Sequence, residues 1–310
     1  MIQPTTLIYS SHNRCDYLHR HFIVERALQS PDNKTILFLP MSMGELDQQE
    51  YSYGTFSWYF KQFEQYGLKH WPFYWREHLA EDDVQRLFHD LFHAEVVILG
   101  GGNSDLGKYR YRHLGADYFG DADLFARILH ERQDRGKLTV GFSAGADQLA
   151  HQLASAIEGD VHDPSAFGLA RRIMVTLHHE HGREGELAYG ARRFPDCLVF
   201  GLPNDSGLAV SQGRLLSGNY WQHIEFIIDQ SWDLPQDSWH IKTRMGMGID
   251  HFYPDGRAWT FRGGERMLRI FSPDGQWQEA WMATHNRPLL HYWSQQPTFH
   301  QSFEEILGKY

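Results

Sequence analysis

The 310-residue chain has no run of 18 or more apolar residues, so no helix is expected to cross a membrane. Cysteine is scarce, with only Cys15 and Cys197, which excludes a disulfide framework. Positive charge is also short: 29 Lys and Arg stand against 39 Asp and Glu, a formal net charge of -10. Nucleic-acid binding needs a basic surface that neutralises phosphates, and this balance argues against it. Twenty histidines qualify that argument, because their charge changes near neutral pH. Neither G-x-G-x-x-G nor G-x-x-x-x-G-K-[ST] occurs, so the usual glycine-rich phosphate cradles are missing. The N-terminal stretch MIQPTTLIYSSHNRCD has neither the basic region nor the long apolar run of a secretory leader. A cytoplasmic, reducing setting is expected.

What is present is apolar and aromatic: 42% hydrophobic and 15% aromatic residues, enough for a sizeable core. Over roughly the first 210 residues, short apolar runs alternate with helical patterns. Leu7 to Tyr9, Thr35 to Leu39, Val96 to Leu99 and Leu138 to Phe142 read as buried strands. Further strands are expected to begin at Ile173 and Leu198. Helices are expected through 17–28, over 51–66 and over 121–132. Another opens at Asp82 and Asp83, with Val84, Leu87, Phe88, Leu91 and Phe92 on one face. This βαβ alternation predicts an α/β fold, a mostly parallel sheet with helices on both faces. Binding residues then gather at the carboxyl ends of strands. From about residue 217 tryptophans become frequent, and Pro254-Asp255-Gly256 and Pro273-Asp274-Gly275 signal turns 19 residues apart. Residues 217–310 are therefore read as a small β-rich extension on a domain spanning 1–216.

Four strand ends carry candidate chemistry. Gly141-Phe142-Ser143-Ala144-Gly145 lies between an apolar strand and an expected helix from Ala146, the setting in which G-x-S-x-G makes a nucleophile elbow. The glycines permit a tight turn that lifts the serine hydroxyl above the sheet. The plainer reading is a serine that only caps its helix. Gly100-Gly101-Gly102-Asn103 ends the preceding strand, where bare backbone can approach a ligand. The N–H groups of Gly102 and Ala144 would together form an oxyanion hole, though glycine runs often serve only as turns. A serine nucleophile needs a base, and His178-His179-Glu180-His181 follows the strand from Ile173. That cluster reads alternatively as a solvated loop or as metal ligands, but its spacing matches no metal pattern. His89 and His93, at i and i+4, are better explained as solvent-exposed positions on an amphipathic helix. A third member should orient the histidine. Asn204 and Asp205, in Leu202-Pro203-Asn204-Asp205-Ser206-Gly207, follow the strand from Leu198.

In their order, these elements resemble the dipeptidase E and cyanophycinase family of serine peptidases over roughly residues 5 to 211. Asp163-Pro164-Ser165-Ala166-Phe167 and Phe200-Gly201-Leu202-Pro203 are similar to further segments of that family. The resemblance implies a flavodoxin-like sheet related to class I glutamine amidotransferases. It makes Ser143 the nucleophile, His178 the base and the N–H groups of Gly102 and Ala144 the oxyanion donors. Asn103 would bind substrate. The family's glutamate falls where this chain has Asn204, so Asp205 is assigned as the acidic member by a one-residue shift. Asn204 and Glu158 are the alternatives.

The expected function is serine-dependent hydrolysis of a peptide or isopeptide bond, next to an aspartyl residue, through an acyl-enzyme. Arg171, Arg172 and Arg183 lie near the site in sequence and are candidate partners for the aspartyl carboxylate. A binding protein with impaired turnover and an esterase or amidase are the rivals. A glutamine amidotransferase would carry cysteine in place of Ser143. No cofactor and no metal are expected. The partner is a small peptide substrate, with no nucleic acid and no membrane, and self-association is left open.

Overall fold

Successive side chains of a strand point to opposite faces, and here both faces are apolar. In the computed structural model, which describes residues 3–11, 15–158, 163–231, 248–285 and 288–310, that pattern makes a helix-covered sheet. Strands β1 (Thr6–Tyr9), β2 (Thr35–Leu39), β3 (Lys69–Pro72), β4 (Val96–Leu99) and β5 (Leu138–Phe142) run parallel in the order β3-β2-β4-β5-β1. A cross-strand row of Phe38, Ile98, Val140 and Leu7 faces one side. It packs on Phe56 and Phe60 of helix α2 (Leu46–Lys61) and on Ile23 and Ala27 of the helical segment Leu18–Val24 and its continuation α1 (Glu25–Gln29).

Leu39, Leu99 and Ile8 face the other side. There they meet helices α3 (Glu81–His93), α4 (Ser104–Phe119), α5 (Leu124–Asp134) and α6 (Ala144–Leu149). The apolar face read from the sequence of α3 is buried at Val84, Leu87, Phe88 and Leu91. A shorter helix, α7 (Ser155–Glu158), follows α6.

Strands β6 (Ile173–Leu177) and β7 (Leu198–Leu202), flanking helix α8 (Glu184–Arg193), leave this sheet. The expectation that they continue the parallel series is corrected: they pair with each other in a second sheet. The place beside β1 is taken by β8 (Ser206–Arg214), antiparallel, followed by β9 (Tyr220–Ile228). Beyond them the C-terminal strands divide between the two sheets. The hairpin β10 (Ile249–Phe252) and β11 (Ala258–Phe261) adds to β7, giving the order β11-β10-β7-β6. The strands β12 (Arg266–Phe271), β13 (Gln278–Ala283) and β14 (Leu290–His291) extend the first sheet from β9. The two Pro-Asp-Gly turns close these hairpins, with Gly256 at φ 88° and Gly275 at φ 75°. A short helix, Phe303–Leu307, ends the chain.

The second sheet lies on the antiparallel half of the first. Phe226 of β9 and Phe261 of β11 stack with ring centroids 3.8 Å apart, and Phe200 of β7 meets Phe226 edge-on at 5.5 Å. Such aromatic pairs add about 0.5–1.5 kcal/mol beyond their burial. The outer face of the second sheet, Met174 and Val199, packs on Leu187 and Ala191 of α8. The ends of β1, β5, β6 and β7 are thereby brought to one place.

Candidate active site

Ser143 sits between β5 and α6 with φ 50° and ψ -120°, a strained conformation for a residue with a side chain. The flanking glycines are what allow it. A Cβ on Gly141 would lie 2.3 Å from the carbonyl oxygen of Gly145, and one on Gly145 would lie 2.1 Å from that of Leu99. Helix α6 begins at Ala144, two residues earlier than expected, and the Ser143 side chain does not cap it. The hydroxyl instead faces His178, with Oγ 3.3 Å from Nε2.

His178 follows β6 with φ 51°, also left-handed. Its backbone is held at both ends. The N–H donates to Oγ of the buried Ser10 at 2.8 Å, and Arg183 donates to its carbonyl at 3.3 Å. Ser10 follows β1, whose last residue, Tyr9, accepts the Ser143 N–H at 3.0 Å. On the far side of the imidazole, Nδ1 lies 2.7 Å from Oδ1 of Asn204. An acceptor at Nδ1 fixes the ring proton there and leaves the Nε2 lone pair toward the serine. That is the tautomer a general base requires.

The assignment of Asp205 to this position is therefore corrected, because Asn204 occupies it. Asp205, at φ 59°, is fully buried on the other side of the turn. Its carboxylate accepts from Ser11 Oγ at 2.6 Å, with Cys15 Sγ at 3.6 Å, and its own N–H donates to Ser11 Oγ at 3.0 Å. Neighbouring residues in a tight turn point different ways, so only one can meet the histidine. The side chain of the other alternative, Glu158, lies outside the described residues.

The glycine run after β4 borders the serine. A Cβ on Gly101 would come within 3.3 Å of Ser143 Cβ, and Gly102, at φ 130°, would place one 2.2 Å from the carbonyl oxygen of Ser42. Among the described residues, no backbone carbonyl accepts from the N–H of Gly102 or of Ala144. Asn103 has a structural task that its sequence position did not announce. Its side-chain oxygen accepts the N–H of Leu106 at 2.8 Å and caps α4, while its own N–H bonds to Ser42.

The remaining candidates separate in space. His179 is buried with Nε2 3.6 Å from Asp250 Oδ2, whereas His181 is exposed beside Glu184. The three-ligand reading of that loop loses its geometry, and among the described residues no group of three metal-capable side chains converges. The His89 and His93 rings lie against each other at a tilt of 37°, with 4.4 Å between centroids. Arg171 lies over the Tyr220 ring, Arg172 pairs with Asp196, and Arg183 is held by both oxygens of Glu186. Of the three, only Arg183 reaches the site, through the His178 carbonyl. Asp163 and Ser165 are fastened by the buried Lys108, and its ammonium holds the Asp163 carboxyl down at about 2. Ser10 escaped the sequence reading, although its place at the end of a strand beside the nucleophile strand was the available signal.

With this geometry in place, residues 7–217 match the model of peptidase family S51. The chain belongs to that family. Every residue of the hydrogen-bonded chain from Ser143 through His178 to Asn204 falls inside the matched region of this serine peptidase family, and most of the C-terminal strands fall outside it. Among solved structures, a peptidase from an acI-B1 actinobacterium aligns at 14% identity over 84% of this chain and 98% of its own, with a TM-score of 0.48. A KaiC-like protein from Pyrococcus horikoshii OT3 aligns at 10% identity over 84% and 90%, with a TM-score of 0.27. Neither likeness is close enough to add to the assignment. No curated protein matches the sequence. Among the described residues, no helix is long and apolar enough to cross a membrane.

Proposed function

We propose that this S51 protein hydrolyses a peptide or isopeptide bond through an acyl-enzyme on Ser143. The observation that carries the reading is the chain Ser143 Oγ, His178 Nε2, His178 Nδ1, Asn204 Oδ1, spaced at 3.3 and 2.7 Å. Ser143 Oγ attacks the carbonyl carbon as His178 Nε2 takes its proton. The N–H groups of Gly102 and Ala144 receive the developing oxyanion. His178 returns the proton to the leaving amine, and the acyl group stays on Ser143. Water, deprotonated by the same imidazole, then attacks the ester; the bond from the acyl carbon to Ser143 Oγ breaks, and His178 returns the proton to Oγ as the acid leaves. Asn204 orients the ring but supplies no countercharge, so the imidazolium is less stabilised than beside a carboxylate.

The substrate is a small peptide with an aspartyl residue at the scissile bond, a choice that rests on the dipeptidase E and cyanophycinase precedents. Arg171 and Arg172 are committed to other partners. Recognition of that carboxylate then falls to backbone donors and to Asn103, whose amide NH2 is the end not used in capping.

The test is hydrolysis of a panel of aspartyl and unrelated dipeptides, with Ser143→Ala as control. Cleavage that requires Ser143 and is confined to aspartyl substrates supports the whole reading. Cleavage of other peptides alone removes the aspartyl specificity. Turnover equal to the Ser143→Ala background removes the aspartyl-dipeptidase reading.

A further inference from the structure

His178 keeps a left-handed backbone, and such a residue persists only where its surroundings over-determine it. Its next neighbour, His179, supplies an anchor of unexpected origin. Thr176, Gly201, Asp250 and Thr260 are successive partners across all four strands of the second sheet, from β6 through β7 and β10 to β11. Gly201 leaves a gap in that row, and the His179 ring fills it: a Cβ on Gly201 would lie 2.6 Å from the imidazole.

The ring is almost completely buried there. Its Nδ1 lies 3.4 Å from Thr176 Oγ1, and its Nε2 faces Asp250 Oδ2 at 3.6 Å, an ion-pair distance too long for a hydrogen bond. Thr260 Oγ1 donates to the other Asp250 oxygen at 2.6 Å, and the His179 N–H is tied to the Leu202 carbonyl at 2.9 Å. Burial pushes the Asp250 carboxyl up, yet His179 and Thr260 together hold it below its ordinary value. His179 thus plugs the loop that carries His178 into the second sheet. The carboxylate that receives it stands at residue 250, beyond the matched region 7–217.

We propose that His179 and Asp250 are a positioning pair that holds His178 over Ser143, so that the C-terminal strands contribute to Ser143 reactivity. The proposal rests on the Ser143–His178 reading above. Without the charge on Asp250 the ring loses its electrostatic seat, the loop relaxes from its left-handed conformation, and Nε2 moves away from the serine. Displacements of that size matter, because about 1 Å of misplacement can cost a hundredfold in rate.

The test is the rate of covalent labelling of the full-length protein by a fluorophosphonate, which needs an activated serine but no knowledge of the peptide. The limiting labelling rate and the half-saturating probe concentration are measured separately. Asp250→Asn keeps the shape and an acceptor for Thr260, and should lower the limiting rate at least about tenfold with half-saturation and melting temperature unchanged. His179→Phe should slow labelling similarly, and the double variant should be no slower than either single one. Asp255→Asn, an exposed change in the same hairpin, should label like the wild type. Wild-type labelling speed in Asp250→Asn, or single effects that multiply in the double variant, would overturn the positioning pair alone. A wild type whose Ser143 is not labelled would overturn the pair together with the hydrolase reading.

Discussion

At residue 204 a neutral amide stands where the resembled peptidases carry a carboxylate, and the two side chains differ in what they do for an imidazole. A carboxylate orients the ring and also stabilises the imidazolium. In trypsin, replacing the orienting aspartate by asparagine lowers turnover by about 10⁴, with the wrong tautomer as the cause. Here Oδ1 of Asn204 faces Nδ1, so the tautomer is right and only the charge is missing. Asn204→Asp should therefore raise kcat by about tenfold, and Asn204→Ala should lower it by roughly 10–100-fold, with KM little changed in both. Steady-state kinetics on a cleaved peptide, or fluorophosphonate labelling, measures this; a slower Asn204→Asp would contradict the orienting role. Asp205 calls for the opposite expectation. Its buried carboxylate serves Ser11 and Cys15, so Asp205→Asn should cost about 1–3 kcal/mol in urea unfolding while activity per folded molecule stays within about threefold. Ser143 was legible because a strand, two glycines and a helix leave the intervening side chain one place to go. Asn204 and Asp205 were not separable, since which of two adjacent turn residues faces the histidine depends on strands far away in the chain.

Among the elements, the glycine run after β4 is tightly constrained at Gly102. Gly102 has a φ of 130° and no room for a Cβ against the Ser42 carbonyl, which already accepts the Asn103 N–H. Gly102→Ala should shift that turn and the proposed oxyanion donor with it. The expected loss is about 10²–10³ in kcat, read against an unfolding midpoint that shows the protein still folded. Helix α4 illustrates why some elements were invisible in the sequence. Its glycines, Gly107 and Gly115, are weak helix formers, yet a Cβ on either would lie within 2.3 Å of a neighbouring atom. Its buried face also includes Lys108 and Arg110, which bond to backbone carbonyls of the loops near 163–165 and 41–44. Tertiary contacts chose those residues, so no apolar periodicity marked the helix. The strongly periodic α3 was legible because its buried face is purely apolar.

For the whole molecule, each sheet joins strands of the family-matched region 7–217 to strands beyond it. A chain ending at residue 216 would lose β9 from the edge of β8 and β10 from the edge of β7, leaving two open edges and bare Phe200. Such a truncation should aggregate, to be checked by soluble yield and size-exclusion chromatography; a monodisperse product would mean that 1–216 folds alone. A partly buried histidine, His223, and a fully buried one, His251, contribute to the acid response. Burial, with Arg266 added for His223, holds His223 and His251 at about 4, against 6.5 when unperturbed. Between those values the unfolded chain binds more protons than the folded one, so stability falls as pH drops from 6.5 toward 4. The loss is on the order of 2 kcal/mol per histidine by pH 5. Burial raises the carboxyls of Glu225 and Asp229, which opposes this trend toward the acid end. Urea midpoints at pH 7 and pH 5 measure the slope, and His223→Gln should flatten it.

Local patterns along the chain marked the parallel strands β1, β2, β4 and β5 but not β3, together with the elbow serine, the glycine turn, the histidine after β6 and the two Pro-Asp-Gly turns. Each depends on a short stretch whose backbone limits or hydrophobic period act within a few residues. Long-range packing set the departure of β6 and β7 from the main sheet, the meeting of Asn204 with His178 while Asp205 is buried on the other side of the turn, and the reach of Asp250 to His179. Those outcomes depend on which strand edges pair and which faces pack. Pairing joins residues tens to hundreds of positions apart, and no local pattern in the chain encodes it.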